Sequence, residues 1–242
     1  MNILEHLYQH KLVPLTLFGV DISITNGVIT LWTAAALILL FFALASWRAR
    51  LIPGRLQNLA ETIILFVRQE LAGMITHDRQ AWLPFLTVLF LFILANNLVG
   101  LVPTFSGVTG NINTTAVLAL IIFVVVHVSG IIRQGLGKYL INQMPSGLPW
   151  PIFVLMIPIE IVSQLAKPFS LALRLFANMF AGHALLLILL SLIFVFKSYL
   201  ILPLPLAGDI VFLGFEVFVA FIQAFVFTYL SALYIATAQE GH

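Results

Sequence analysis

From Gln80 to Ile132 the chain carries no Lys, Arg, Asp or Glu. One crossing of about 30 Å of hydrocarbon takes roughly 20 residues as a helix, so this stretch is too long for one span and suits two. The segment Pro103–Asn113 (PTFSGVTGNIN) collects Gly, Ser, Thr and Asn and is the expected join. A helical hairpin over 82–132 is the simple reading. Composition agrees: of 242 residues, 62% are hydrophobic and 8% charged, whereas a soluble domain is about half apolar and about a quarter charged. The chain reads as an integral membrane protein. It has no cysteine, which excludes disulfides, thiolate metal sites and cysteine nucleophiles.

Around this hairpin the other elements fall into place. Met1 to Gly19 holds Glu5, His6, His10 and Lys11 and lacks the basic start, apolar core and small-residue site of a cleavable signal. The uncharged run over 22–47 is therefore expected to be a retained first span, closed by Arg48, Arg50, Pro53-Gly54 and Arg55. Over 55–76, Leu56, Leu59, Ala60, Ile63, Val67, Leu71 and Met74 recur at helical spacing, but Gln57, Glu61, Arg68 and Glu70 interrupt them. That pattern predicts an amphipathic helix on the cytoplasmic membrane surface. Two long apolar segments follow, 151–197 and 208–238, separated by a turn at Pro203 and Pro205. As one helix Pro151–Phe196 would be about 69 Å long, over twice the hydrocarbon thickness. Either it breaks near Pro168 into two spans or it is a single steeply tilted helix. With the N-terminus outside, the cytoplasmic loops hold Arg48, Arg50, Arg55, Arg68, Arg79, Arg133 and Lys138, against Lys11 and Lys197 outside. The C-terminus is then cytoplasmic.

Within the long segment, Glu160, Ser163, Lys167, Ser170, Arg174 and Asn178 are spaced by 3, 4, 3, 4 and 4 residues. At 3.6 residues per turn they share one face, within a sector of about 80°. Phase kept through Pro168 favours the continuous helix. Serines and an asparagine alone would fit ordinary helix packing. Charges inside the membrane mark ion pathways, counter-ions or substrate sites, although Lys167 could equally snorkel to an edge. Arg174 cannot pair with Glu160, which lies 14 residues and about 21 Å away along the axis. Its counter-charge is expected from another helix or another chain. His183, nine positions on, points to the opposite face. In the last segment Glu216 and Gln223 are seven apart and share a face. A histidine and a carboxylate on two long helices can handle protons, or can simply order the helices as a hydrogen-bonded pair. Asn96-Asn97 reads equally as helix glue or pathway, and His127 as a packing residue.

These residues resemble the a subunit of the F-type ATP synthase membrane sector. The carriers are Lys167-Pro168, Ser170, Leu173-Arg174-Leu175-Phe176, Asn178 and Ala181-Gly182 in KPFSLALRLFANMFAGH, which is similar to the stretch around the family's essential arginine. FEVFVAFIQAFVFTYLSALYI, with Gln223, resembles the family's last helix, and NNLVGLVP and GNINTTAVLAL resemble its hairpin. The resemblance covers nearly the whole chain and is weakest over 1–27 and 133–150. It implies an all-α membrane fold: one transmembrane helix, a surface helix, a hairpin, and two long tilted helices cupping a rotor ring of c subunits. It also implies a proton-channel stator with two offset aqueous half-channels, coupling proton flow to ATP synthesis. Arg174 would face the rotor carboxylate and keep the half-channels apart. Asn178, His183, Glu216 and Gln223 would line the outer one, with Asn97 near its mouth. Glu160 and Ser163 would line the cytoplasmic one, and Ser170 shares their stripe. Many bacterial members carry a carboxylate at the position of His183 and another residue at Glu216; the swapped arrangement here is similar to mitochondrial members.

The resemblance implies further partners: b-type peripheral stalk subunits, the rest of F1Fo, protons and the lipid bilayer, with no nucleic acid. No cofactor and no metal are expected, and no GxxxxGK[ST] loop is present to cradle a nucleotide phosphate. The subunit is thus not expected to be catalytic by itself. The bacterial inner membrane is the expected location, ahead of the mitochondrial inner membrane. No extra carboxylate cluster points to sodium. A secondary ion transporter with a charged midplane site is the main alternative, but no paired internal repeat is visible. An intramembrane protease would need a GxS-type nucleophile or an HExxH zinc site, and neither occurs. A purely structural assembly subunit would leave charges on two separate faces unexplained.

Overall fold

The computed structural model describes residues 11–14, 16–17, 20–21, 23–47, 50–76, 78–102, 107–142, 150–196 and 203–240. Among these, two short antiparallel pairs precede the helices: β1 (Lys11–Val13) with β4 (Ile24–Thr25), and β2 (Thr16–Leu17) with β3 (Val20–Asp21). The helices are α1 (Asn26–Ser46), α2 (Arg55–Phe66), α3 (Arg79–Gly100), α4 (Ile112–Gln134), α5 (Leu136–Asn142), α6 (Trp150–Phe196) and α7 (Pro203–Glu240). Five of them are long and apolar enough to cross a membrane. The backbone falls into two compact units.

The first unit comprises Met1–Ala60, Phe90–Asn111 and Leu175–Ala224. α1 is 21 residues long, about 31 Å and so one bilayer crossing. Leu37, Leu39, Leu40 and Leu44 are exposed on it, while Thr30 and Ala34 are fully buried. An apolar exterior with small residues at the contact is the pattern of a helix in lipid, where close backbone approach replaces the hydrophobic drive to associate. α1 packs against a single 3-10 turn, Val108–Gly110. That turn lies in the expected hairpin join, of which residues 103–106 lie outside the described residues.

The second unit comprises Glu61–Leu89, Ile112–Arg174 and Phe225–His242. The segment expected as one helix over 55–76 is α2, then a π-helical turn Val67–Leu71, then a 3-10 turn Ala72–Met74. Val67, Leu71 and Ala72 are fully buried, so the irregular turns sit where this segment packs. On α4 the buried residues Thr115, Ala119, Ile122, Val126 and Ser129 repeat every three or four positions, which is the inward stripe of a packed helix. α4 ends at Gly135, whose φ of +79° and N–H bonded to the Ile131 carbonyl at 2.8 Å make a left-handed cap. α5 then folds back against α4.

α6 runs unbroken for 47 residues through Pro158 and Pro168, roughly 70 Å of helix. Along it the division between the units falls between Arg174 and Leu175. α7 begins earlier than the sequence pattern suggests. Pro203 and Pro205 do not form a turn before it but occupy its first turn, where a missing N–H costs no helical hydrogen bond. The helix also ends later, at Glu240, so it holds three acids, Asp209, Glu216 and Glu240.

Candidate functional site

In the second unit the polar face of α6 is bonded to itself. Gln164 Nε2 donates to Glu160 Oε1 at 2.7 Å, and Lys167 Nζ donates to Gln164 Oε1 at 3.1 Å. The Lys167 ammonium also lies 5.6 Å from the centroid of the Tyr234 ring on α7, within cation–π range. One helix face thus holds an acid, an amide and a base in a chain, with an aromatic ring over the cationic end. Gln164 and Tyr234 are absent from the sequence-derived set. The i, i+4, i+7 spacing of 160, 164 and 167 was the signal for Gln164. Ser163, Ser170 and Arg174 are exposed, and Glu160 and Lys167 are half-buried. Among the described residues no carboxylate pairs with Arg174; the one ion pair found there is Arg133–Asp78, at 3.7 Å and exposed.

The first unit arranges its polar groups differently. Glu216 is 8% exposed and Gln223 7%, both on α7, and Asn97 on α3 is 1% exposed. Asn97 Nδ2 donates to the Ala220 carbonyl at 3.5 Å, a long contact that ties α3 to α7 between the two α7 polar positions. The Asn97 side-chain oxygen and the Gln223 side-chain nitrogen are buried without a hydrogen-bond partner among the described residues. Buried amides normally find one, in protein or in water.

Glycine makes the room for Glu216. Its carboxylate packs directly against Gly182 of α6: a Cβ at that position would overlap Glu216 Oε1 and lie 3.1 Å from Cδ. Any side chain at 182 would have to displace the acid. Next to this contact is a cavity of about 270 Å³ whose wall includes Asn178, Gly182, Leu185, Phe212, Glu216 and Val219. Among the described residues, Asn178 and Glu216 are its only side chains with polar ends, and the rest of that lining is apolar. In this otherwise apolar space, roomy enough for several waters, the carboxylate is the group that can take up and release a proton, and the amide can hydrogen-bond beside it.

Of the residues expected from sequence, the structure thus brings Asn178 and Glu216 to one cavity, with Asn97 and Gln223 following on the α3–α7 contact. Glu160 joins Lys167 in the chain of the other unit, while Ser163 and Ser170 lie exposed on that face. His183 is in α6, but its side chain lies outside the described residues. No group of three or more His, Asp or Glu suited to a metal ion occurs among the described residues.

The chain matches the profile of the family described as ATP synthase A chain over residues 28–236. It is 42% identical to the ATP synthase subunit a of Chloroherpeton thalassium, over 93% of this chain and 69% of that protein. Against ATP synthase subunit a 2 of Prosthecochloris aestuarii it is 42% identical, over 98% of this chain and 76% of the relative. The Magnetococcus marinus ATP synthase subunit a is 41% identical, with 100% of this chain and 94% of the relative aligned. With a profile match across most of its length and relatives above 40% identity along nearly all of it, the chain belongs to the ATP synthase A chain family.

Proposed function

We propose that this multi-pass membrane protein, a proton-channel stator subunit that does no nucleotide chemistry itself, divides its proton path into two half-channels kept apart by Arg174. The outer half-channel runs past Asn178, Glu216, Gln223 and Asn97, with His183 on the same helix as Asn178. The cytoplasmic half-channel runs past Glu160 and Ser163, with Ser170 on the same face. The observation that carries this reading is the Glu216 carboxylate lodged against Gly182 beside a cavity. A buried acid with space beside it, on a helix otherwise apolar around it, is costly unless it handles protons.

Arg174 supplies the fixed charge. It is exposed on the polar face of α6, with Ser170 and Asn178 one turn to either side, and has no carboxylate partner among the described residues. A guanidinium does not give up its proton, so it cannot relay one. It can stabilise a rotor carboxylate passing in ionised form and block direct leakage between the half-channels. Each proton then delivers about 2.3 kcal/mol per 100 mV of membrane potential, together with the pH difference. The partners are a ring of c subunits, b-type stalk subunits and the rest of F1Fo. The location is a bacterial inner membrane, with the N-terminus periplasmic and the C-terminus cytoplasmic.

The test is Arg174→Ala in the assembled complex, in inverted membrane vesicles. ATP-driven acidification of the lumen is expected to vanish, while passive proton conductance persists or rises because the barrier has gone. Normal pumping by an assembled R174A complex would overturn the reading.

A further inference from the structure

Asp209 is an acid that the pathway above leaves unused. It stands seven residues before Glu216 and fourteen before Gln223 on α7, so the three share one face, with Asp209 about 10.5 Å along the axis from Glu216. Phe212, one turn after Asp209, and Glu216 and Val219 beyond it line the same cavity. The cavity thus ends within about one helical turn of Asp209, on the face where Asp209 stands. The residue is half-buried, and its Oδ1 is fully buried with no hydrogen-bond partner among the described residues.

Among the described residues the ordinary reasons for an acid here are not met. Asp209 is the seventh residue of α7, past the first turn in which helix N-termini favour acids. No ion pair to it occurs among the described residues. A carboxylate oxygen buried without a partner is a standing cost, and an apolar residue would pack at least as well. We propose that Asp209 is the mouth carboxylate of the outer half-channel, exchanging protons between outside water and the cavity that holds Glu216. A proton taken from outside water binds the Asp209 carboxylate, then leaves it for cavity water and reaches Glu216, restoring the Asp209 anion. In ATP-driven pumping the same steps run in reverse. The cavity, at about 270 Å³, has room for several waters at about 30 Å³ each, which covers a gap too long for one hydrogen bond. This role rests on the half-channel reading of Glu216.

The experiment compares D209N, D209E, D209S and E216Q in the assembled complex in inverted vesicles. It follows ATP-driven acidification and, after removal of the catalytic sector, passive proton conductance. Asn keeps the shape of Asp but cannot exchange protons, whereas Glu keeps the carboxylate. D209N is expected to lower both readouts about three- to tenfold, less than loss of an obligatory acid–base group because water still reaches the cavity. D209E is expected to restore most of the flux. If D209N fails to assemble, D209S carries the same comparison. Wild-type flux in assembled D209N or D209S, or equal impairment in D209N and D209E, would overturn the proposal. Normal pumping in E216Q would instead overturn the outer half-channel reading on which it rests.

Discussion

The two units hold polar residues in opposite ways. In the second unit one helix does the work alone: Glu160, Gln164 and Lys167 bond to each other along α6, and Ser163, Ser170 and Arg174 stay exposed. In the first unit three helices are needed: buried Asn97 from α3, half-buried Asn178 and the small Gly182 from α6, and buried Glu216 and Gln223 from α7. The self-bonded Glu160–Gln164–Lys167 chain tolerates change, because each member has a partner one turn away; Arg174 stands outside that chain. A buried acid in a shaped cavity does not, because its protonation and its space depend on residues far apart in sequence.

This contrast predicts a graded series of effects. Apart from Arg174, whose loss is expected to abolish pumping, the largest is expected from E216Q, which keeps the side-chain shape but removes the titrating group. Proton flux should fall by on the order of 100-fold or more, as for loss of a principal acid–base residue, measured as ATP-driven acidification in an assembled complex. Residual flux within a few-fold of wild type would place the essential acid of this unit elsewhere. Next comes Gly182: a valine there must displace the Glu216 carboxylate, and flux should drop about tenfold, equivalent to about 1.4 kcal/mol on the barrier. Alanine should be milder than valine, and serine no worse than alanine. A valine variant with unchanged flux would show that the carboxylate has another resting place. The smallest effect is expected in the other unit. Q164L removes both side-chain links of Gln164 on one helix face, each worth about 0.2–0.5 kcal/mol, so flux should change only about two- to fivefold. A double-mutant cycle with K167Q checks it: a tenfold loss in Q164L that disappears in the K167Q background would make the Glu160–Gln164–Lys167 chain as exacting as the Glu216 cavity and erase the contrast.

Where the signal was periodic, the sequence was sufficient. The charge-free stretch 80–132 became α3 and α4, and the three- and four-residue spacing of 160–178 reads on the continuous α6. Where an outcome depended on what stood opposite, it was not. Gly182 stood in the sequence only as part of the motif that carries the family resemblance, and the physical reason for a glycine there is visible only because the Glu216 carboxylate occupies the space its missing side chain leaves. Asp209 lies inside the segment expected over 208–238, but the burial of its Oδ1 one turn before the cavity residue Phe212 is a tertiary property that no spacing reveals. The π-helical turn Val67–Leu71 has no sequence mark, because the apolar spacing there also suits an ordinary helix.

The sequence by itself determined that this is a helical membrane protein, where its long helices run, and that Arg174 stands on a polar face without a local acid. Those properties follow from hydrophobicity and helical period, which are local along one chain. Only the tertiary structure decided that Glu216 faces Gly182, that Asn178 shares its cavity, that Asn97 reaches Ala220, and that Lys167 lies over Tyr234. Each of these joins residues on different helices. Which helix faces meet is set by the packing of side chains from distant parts of the chain, and no spacing within one helix encodes it.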